Sequence, residues 1–417
     1  MNIYVFIGTS ICDIGGGALY YKHKLQYLLD KGYKVYIFSF VKGEVIIDQL
    51  KSQQKNIISY LKFPPYFYTD SNKNKIIQHL IEEISYKDND TIFIESNHFI
   101  SSLWGEILAC RLKCKHVLFI IDEISRIYSD CDLRYLKFKD QRKEVAAISH
   151  RTLPEIFKNT NYSDICRKII LSACPTETIS NVAECKIDIH LHKENNTINI
   201  LSLGRLNKKY ILPTIKSLAN YTIANNSVFF NIIFCGGPSK YESIIKKEFN
   251  GQDNIELIFL GNLYPIPLKL LRITDLGIAS SGSVTLLDEF GIPCIVIDGN
   301  DCLPIGIYKY NCINRLFRGK EEPPVALDYL LNLIIKNKVV NKNFHLPENL
   351  NKEVDFSSHF QFIKNSNKEI EYYSEEYSNG FKIKFVRILS VFISLDKQNK
   401  LFKIMHKIFD NFSFSKL

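Results

Sequence analysis

The sequence predicts an α/β protein built from two successive doubly wound domains. Short apolar runs of strand length alternate with segments of helical periodicity, which is typical of βαβ units with a parallel sheet. The alternation weakens in a polar stretch that ends with the letters HKENN and then resumes. The length of 417 residues suffices for two large domains.

The first half opens with a buried-strand run, a glycine loop and a helical stripe of leucines that ends near Gly32. Its predicted strands are Ile3–Ile7, Lys34–Phe40, Thr91–Glu95, His116–Ile121, Glu144–Ile148 and Lys168–Ser172, and its helices include Ile76–Ile84 and Leu103–Leu112. These elements predict one parallel sheet with helices between its strands.

The second half repeats the alternation. Its predicted strands are Thr197–Leu203, Val228–Cys235, Ile255–Leu260, Leu276–Ala279 and Cys294–Ile297, and its helices are Ile211–Tyr221, Tyr241–Phe249, Pro267–Ile273 and Thr285–Phe290. We therefore predict domains at 1–185 and 196–340, followed by a polar linker and basic helices at 341–417. Open parallel sheets bind ligands beyond the carboxyl ends of their strands, so a cleft between the domains is the expected ligand site.

The composition and the charge of the chain limit the classes of partner that it can bind. Apolar residues make up 46% of the chain, which excludes disorder as the main state. The net charge of +9 is concentrated in residues 380–417, which hold eight Lys or Arg and two Asp. Their apolar stripe at helical spacing predicts either a closing helix on the core or contact with an anionic membrane. A nucleic-acid surface would spread its cations over a folded face, so none is expected.

The cysteines and the amino terminus indicate an intracellular compartment. The eleven Cys include no CxxC pair, which predicts reduced thiols rather than disulfides or a zinc site. The chain begins with a strand-like run, without a secretory signal, and no apolar window reaches the length of a membrane span. A cytoplasmic protein is expected, either free or at the inner face of the membrane.

Three segments are candidate ligand sites. The run Gly15-Gly16-Gly17 precedes the first helix, where backbone amides favour an anion, although a flexible turn would also explain it. The segment from Gly204 to Lys209 follows a strand and offers cations that could neutralise a diphosphate; the alternative is a solvated basic turn. The run SSGS at 280–283 precedes a helix that carries Glu289, and its amides and hydroxyls suit phosphate oxygens. An ordinary helix cap would explain one of those serines alone.

Four segments, in order, resemble GT-B-fold glycosyltransferases, in particular the large nucleotide-sugar-dependent family of bacterial polysaccharide synthesis. They are GGGALYYKHKLQYLLDKGYKVYIFSF; EVAAIS; ILSLGRLNKKYILPTIKSLANY; and FNIIFCGGPSKYESIIKK with IELIFLGNL and residues 276–297. The likeness covers about residues 1–300. It implies two Rossmann-like domains that face a central cleft.

The chain departs from the family pattern in its charged residues. The family places two Glu eight positions apart, whereas Ser281 and Glu289 occupy that spacing here. Tyr210 replaces the family's Lys five residues past the Arg, which leaves Lys209 or Lys208 to serve. Asp122 stands where relatives often have His.

The resemblance implies transfer of a sugar from a nucleoside diphosphate sugar to a hydroxyl of a glycan or lipid-linked glycan. The implied donor-binding residues are Gly16, Gly17, Arg205, Lys209, Gly261, Leu263, Ser281, Gly282, Ser283, Thr285 and Glu289. His98 is the expected proton acceptor, with Asp122 as the second catalytic candidate. No metal or other cofactor is expected, because protein cations and helix termini stabilise the leaving diphosphate.

Two other functions stay open. A sugar-nucleotide 2-epimerase would convert a nucleotide sugar without any acceptor. A non-catalytic partner of a polysaccharide-synthesis complex is favoured by the missing first Glu, and it would show neither donor hydrolysis nor transfer.

Overall fold

The chain forms two compact units, residues 1–174 together with 353–417, and residues 175–352. The computed structural model describes residues 1–12, 14–121, 129–148, 152–157, 160, 178–179, 191, 196–319, 322–347, 354–366, 369–374 and 385–389.

The first unit contains a five-stranded parallel sheet in the order β2-β1-β3-β4-β5. Its strands are β1 (Asn2–Ile7), β2 (Lys34–Phe38), β3 (Thr91–Ser96), β4 (Lys115–Ile120) and β5 (Val145–Ala147). Its helices are α1 (Gly16–Asp30), α2 (Asp70–Ile84), α3 (Phe99–Leu112), α4 (Asp130–Gln141) and α5 (Thr152–Phe157). The strands form because their nearly continuous apolar runs are covered on both faces. Val5 of the interior strand β1 pairs with Tyr36 of β2 and Ile94 of β3.

Short 3-10 helices lie between β2 and α2, at Asp48–Asn56, Ser59–Lys62 and Pro65–Phe67. These helices were not predicted from the sequence, because a 3-10 helix has 3.0 residues per turn and does not show the 3.6-residue period of an α-helix. They contribute Leu61 and Phe67 to the core of the first unit. The predicted strand Lys168–Ser172 lies outside the described residues.

The second unit contains a six-stranded sheet in the order β13-β12-β11-β7-β8-β9 and a two-stranded sheet of β10 with β6. Its strands are β6 (Thr178–Ile179), β7 (Thr197–Leu203), β8 (Phe229–Cys235), β9 (Ile255–Phe259), β10 (Ile266–Pro267), β11 (Leu276–Ala279), β12 (Cys294–Ile297) and β13 (Pro304–Ile307). Its helices are α6 (Ile211–Ala224), α7 (Glu242–Glu248), α8 (Leu268–Ile273), α9 (Gly282–Glu289) and α10 (Leu327–Ile335). All ladders of the large sheet are parallel except that of β12 with β13.

Both faces of the second sheet are buried. Ile200, Ile232 and Ile278 belong to one apolar cluster, whereas the next residues along the same strands, Leu201, Ile233 and Ala279, belong to another. Side chains of a strand alternate between its two faces, so helices cover this sheet on both sides. The predicted α/β class with two parallel, doubly wound sheets is confirmed.

The C-terminal residues divide between the two units, whereas the sequence analysis grouped 341–417 as one region. Near the start of that region, the Asn343 amide donates a hydrogen bond to the Gly291 carbonyl of the second unit. Helix α11 (Ser357–Asn365) instead packs on the first unit, where Phe356 and His359 meet the ring of Tyr20. The reason is the aromatic surface of the first unit, which these apolar side chains cover. Among the described residues, no helix is long and apolar enough to span a membrane.

Candidate functional site

The loops that follow β7, β8 and β9 meet at the carboxyl edge of the second sheet. The Gly204 amide donates to the Cys235 carbonyl over 2.9 Å, and the Leu206 amide donates to the Gly237 carbonyl over 2.7 Å. The Gly237 amide donates to Oδ1 of Asn262 over 2.7 Å. These hydrogen bonds join the predicted segments 204–209 and 261–263 into one surface, with 236–237 between them.

Two of these positions require glycine. Gly236 has φ = 150°, and a Cβ there would lie 2.1 Å from the Gly204 carbonyl oxygen. Gly204 has φ = 139°, a backbone conformation that residues with a side chain rarely adopt. The loops after β7 and β8 therefore approach each other too closely for a side chain at Gly236.

Lys208 lies beside this glycine. A Cβ on Gly204 would be 3.4 Å from its Nζ, and the same Nζ lies 5.5 Å from the centre of the Tyr210 ring. Within the described part of the chain, no carboxylate contacts the Lys208 ammonium. Burial, helped by the charge of Arg205, lowers the pKa of Lys208 to about 8. A half-buried ammonium without a counter-ion favours an anionic ligand.

Arg205 and Lys209, the two cations predicted for the donor, are exposed. The charge of Lys209 acts on the Cys302 thiol, opposing the rise in its pKa that burial causes. Lys209 is therefore close to the loop that contains Cys302, whereas Lys208 is close to Gly204. Sequence spacing had left the choice between the two lysines open.

The segment 280–285 begins helix α9 at the carboxyl end of β11. Ser281 precedes the helix with φ = 64°, and its amide donates to the Arg315 carbonyl over 2.5 Å. Nη1 of Arg315 donates to Oγ1 of Thr285 over 3.0 Å. Gly282 and Ser283 belong to the first turn of α9, whereas the helix was predicted to begin at Thr285; anion binding at this helix terminus stays a prediction. Arg315 was missed by the sequence analysis, because only a long-range contact brings it to this helix.

Glu289 is the last residue of α9, about 10 Å along the helix from Gly282 at 1.5 Å per residue. The preceding Asp288 contacts the Lys309 ammonium at 2.6 Å. The charges of Asp288 and Glu289 both raise the pKa of Lys309. The role of Glu289 at the donor ribose stays a prediction.

In the first unit, Gly16 and Gly17 are the first two residues of α1, whereas the glycine run was expected to precede the helix; their role at the donor stays a prediction. Among the described residues, the nearest atom to a Cβ built on Gly17 belongs to Ile121, at 3.9 Å. The binding of an anion at this helix terminus stays a prediction.

His98 caps helix α3. Its Nδ1 accepts a hydrogen bond from the Ile100 amide over 3.2 Å, and its own amide donates to Oγ of Ser101. A neutral imidazole that accepts at Nδ1 carries its proton on Nε2, so His98 would have to release this cap to accept a proton. Its catalytic role stays a prediction. The second candidate, Asp122, lies outside the described residues.

No protein-family model matches the chain, and no curated protein matches it. Solved structures do match. The structure of HepE from Anabaena in complex with UDP-glucose is 15% identical, has a TM-score of 0.56, and covers 87% of this chain and 98% of HepE. A glycosyltransferase from Rickettsia africae is 14% identical with a TM-score of 0.50, covering 98% of this chain and 99% of that one.

TarM is 12% identical, again with a TM-score of 0.50, over 88% of this chain and 99% of TarM. Such low identities establish the fold alone. The chain has the GT-B fold, which confirms the fold that the resemblance of its sequence segments implied.

Proposed function

We propose that this protein is a glycosyltransferase that moves a sugar from a nucleoside diphosphate sugar to an acceptor hydroxyl. The observation that carries the proposal is Lys208, a half-buried ammonium without a carboxylate partner among the described residues, beside the open backbone of Gly204. Arg205 adds a second cation at the same sheet edge. This arrangement suits a ligand with two adjacent negative charges, such as a diphosphate.

The cations of the site match the negative charge that develops on the diphosphate when its bond to the sugar breaks. In the proposed reaction the acceptor oxygen bonds to the anomeric carbon, the bond from that carbon to the diphosphate oxygen breaks, and the acceptor proton passes to a base. The leaving diphosphate gains negative charge, which fixed cations and the amino end of α9 stabilise most in the transition state. These protein groups supply the required charge, so the proposal needs no metal ion.

A UDP-sugar is the proposed donor. HepE, with which this chain shares its fold, was solved with UDP-glucose. The backbone around Gly261 and Leu263 is proposed to face the base, and Glu289 to bind the ribose. Ser281 stands where the family has its first Glu, so the contacts to the transferred sugar differ from the family pattern.

The proposed acceptor is a glycan or a lipid-linked glycan of bacterial cell-surface polysaccharide synthesis, such as a capsule or O-antigen. A lipid-linked acceptor lies at a membrane, and the basic residues at 380–417 are proposed to hold the enzyme at an anionic leaflet. This proposal rests on charge and apolar spacing in the sequence.

The test has two stages. Thermal shift and calorimetry compare UDP, UDP-glucose and other nucleoside diphosphates with the matching monophosphates, and tighter binding of the diphosphates is expected. No binding of any nucleoside diphosphate would contradict the proposal. Incubation with the tightest-binding sugar nucleotide should then release the nucleoside diphosphate. Conversion of the sugar without release would indicate an epimerase, and binding without turnover a non-catalytic partner.

A further inference from the structure

Tyr210 carries a buried hydroxyl that has no hydrogen-bond partner among the residues that the structure describes. The residue is 4% exposed, and its hydroxyl bonds to no other atom of the described residues. Tyr210 directly precedes helix α6, at the position where the resembled family has a Lys. A buried hydroxyl without a partner destabilises the folded state and calls for an explanation.

The hydroxyl and the Lys208 ammonium lie on the same side of Gly204. A Cβ on Gly204 would be 3.6 Å from the Tyr210 hydroxyl and 3.4 Å from Nζ of Lys208. The two groups therefore lie within 7.0 Å of each other, the sum of these two distances, on the same side of Gly204, where glycine places no side chain between them. Nearby, Ser280 has a second buried hydroxyl without a partner among the described residues.

Ser280 lies on the strand beside Gly204. Strand β11 pairs with β7 so that Ile278 is opposite Ser202, and two residues further this register brings Ser280 opposite Gly204. The loop after β7 and the end of β11 thus bring their donor groups to neighbouring backbone positions at the carboxyl edge of the sheet. Parallel sheets of this kind bind ligands at that edge.

We propose that the Tyr210 hydroxyl and the Lys208 ammonium together hold one phosphate oxygen of the donor's diphosphate beside Gly204. The inference rests on the proposed function and assigns the phosphate contact that the replaced Lys leaves vacant. Burial raises the pKa of Tyr210 well above its usual value, so the phenol keeps its proton and donates. The Lys208 side chain is flexible, and its Nζ lies 5.5 Å from the centre of the Tyr210 ring; in the proposed complex it moves toward the phosphate and gives the ligand access to the hydroxyl.

The test compares Tyr210, which directly precedes helix α6, with Tyr221 inside that helix. Tyr210→Phe removes the hydroxyl that has no hydrogen-bond partner among the described residues. The matched control is Tyr221→Phe, because Tyr221 is also 4% exposed but its hydroxyl donates to Oδ1 of Asn332 over 3.1 Å. Both full-length variants are measured for Tm without ligand, and by calorimetry with uridine and with the tightest-binding of UDP, GDP, CDP and ADP.

For Tyr210→Phe we expect a Tm equal to or above that of the wild type, because the variant buries no unpaired hydroxyl. Its affinity for the nucleoside diphosphate should fall about tenfold, and its affinity for the nucleoside should not change. Tyr221→Phe should show the reverse, a lower Tm and an unchanged diphosphate affinity.

Three outcomes would overturn the proposal. Wild-type affinity in Tyr210→Phe would overturn it while leaving the proposed function intact. A lowered Tm in that variant would show that the hydroxyl has a structural partner. Failure of the wild type to bind any of the four diphosphates would overturn the proposed function and this inference together.

Discussion

The Lys24 ammonium contacts the Glu95 carboxylate inside the first unit, where neither side chain is exposed. Tyr4 and Tyr20 donate hydrogen bonds to the same carboxylate over 2.6 and 2.7 Å. Nδ1 of His359, on helix α11, lies 3.0 Å from the Lys24 nitrogen. The pair thus joins α1, β3 and the C-terminal helix through buried charge.

Replacing one member of this pair should strongly destabilise the first unit. Lys24→Met leaves Glu95 buried without its cation, a change that costs about 3–5 kcal/mol. Lys75→Met on the exposed face of α2 is the control, with an expected change within about 0.5 kcal/mol. Urea unfolding followed by the fluorescence of Trp104, the chain's one Trp, reports on this unit. Equal midpoints for the two variants would contradict the prediction.

Acid should destabilise the first unit through His116. Its Nδ1 lies 2.7 Å from Oε2 of Glu106, yet burial, together with the charge of Lys139, lowers the pKa of His116 from 6.5 to about 4. Between these pH values the unfolded chain binds a proton that the folded chain does not, so stability falls as the pH falls.

The loss between pH 6.5 and 4 should reach at most about 3 kcal/mol from this group. The measurement is the Trp104 unfolding midpoint as a function of pH. His116→Gln should flatten the dependence, whereas His79→Gln, at an exposed position of α2, should leave it unchanged. A slope that is the same in all three proteins would exclude His116 as its source.

The fold was predictable where buried strands give continuous apolar runs. The bounds of β7, β11 and β12 agree with those predicted from the sequence. The short strand β13 was missed, because its antiparallel pairing with β12 depends on a turn at 298–303. Helix α11 was also missed, because its packing on the first unit is a long-range contact that local periodicity does not encode.

The segments of the candidate site could be located from the sequence, but the directions in which their side chains point could not. The sequence located 204–209 after a strand, yet only the structure shows that Lys208 faces Gly204. The Tyr210 substitution was visible as a departure from the family pattern, whereas the lack of a partner for its hydroxyl depends on tertiary packing. His98 appeared as a lone histidine, and its cap contact with Ile100 required the helix start to be known.

Arg205→Ala should weaken nucleoside diphosphate binding by about 2–3 kcal/mol, the scale of charge-assisted hydrogen bonds. The reason is its location after β7, next to Lys208.

Glu289→Ala should weaken nucleoside binding as well as sugar transfer. Calorimetry measures both affinities, and if neither changes, the donor site lies elsewhere.

Lys208→Met should weaken diphosphate binding more than Lys209→Met. Lys208 lies beside Gly204 and has no carboxylate partner among the described residues, whereas Lys209 lies closer to Cys302. We expect at least a tenfold difference in affinity between the two variants, or about 1.4 kcal/mol. The two substitutions remove the same charge from adjacent residues, so general electrostatics cancels in the comparison. A larger loss in Lys209→Met would assign the phosphate to that residue instead.

The basic C-terminal residues should attach the protein reversibly to anionic membranes. In the described turn at 385–389, Val386 is buried while Ile388 is 58% exposed, and Nε of Arg387 donates to the Tyr66 carbonyl over 2.9 Å. This turn therefore packs on the first unit, so a truncation before it would disturb the core. Charge substitutions further along the sequence are the sharper test.

Lys400, Lys403 and Lys407 lie beside the apolar stripe predicted from the sequence. Each contributes on the order of 1 kcal/mol near an anionic leaflet, so replacing all three by Gln should reduce partitioning more than tenfold. The control replaces Lys51, Lys75 and Lys87, three exposed residues of the first unit, and has the same net charge. Co-sedimentation with phosphatidylglycerol vesicles should distinguish the two variants, and added salt should weaken binding of the wild type. Equal binding by both variants would exclude a specific role for these residues, and no binding by the wild type would refute membrane attachment.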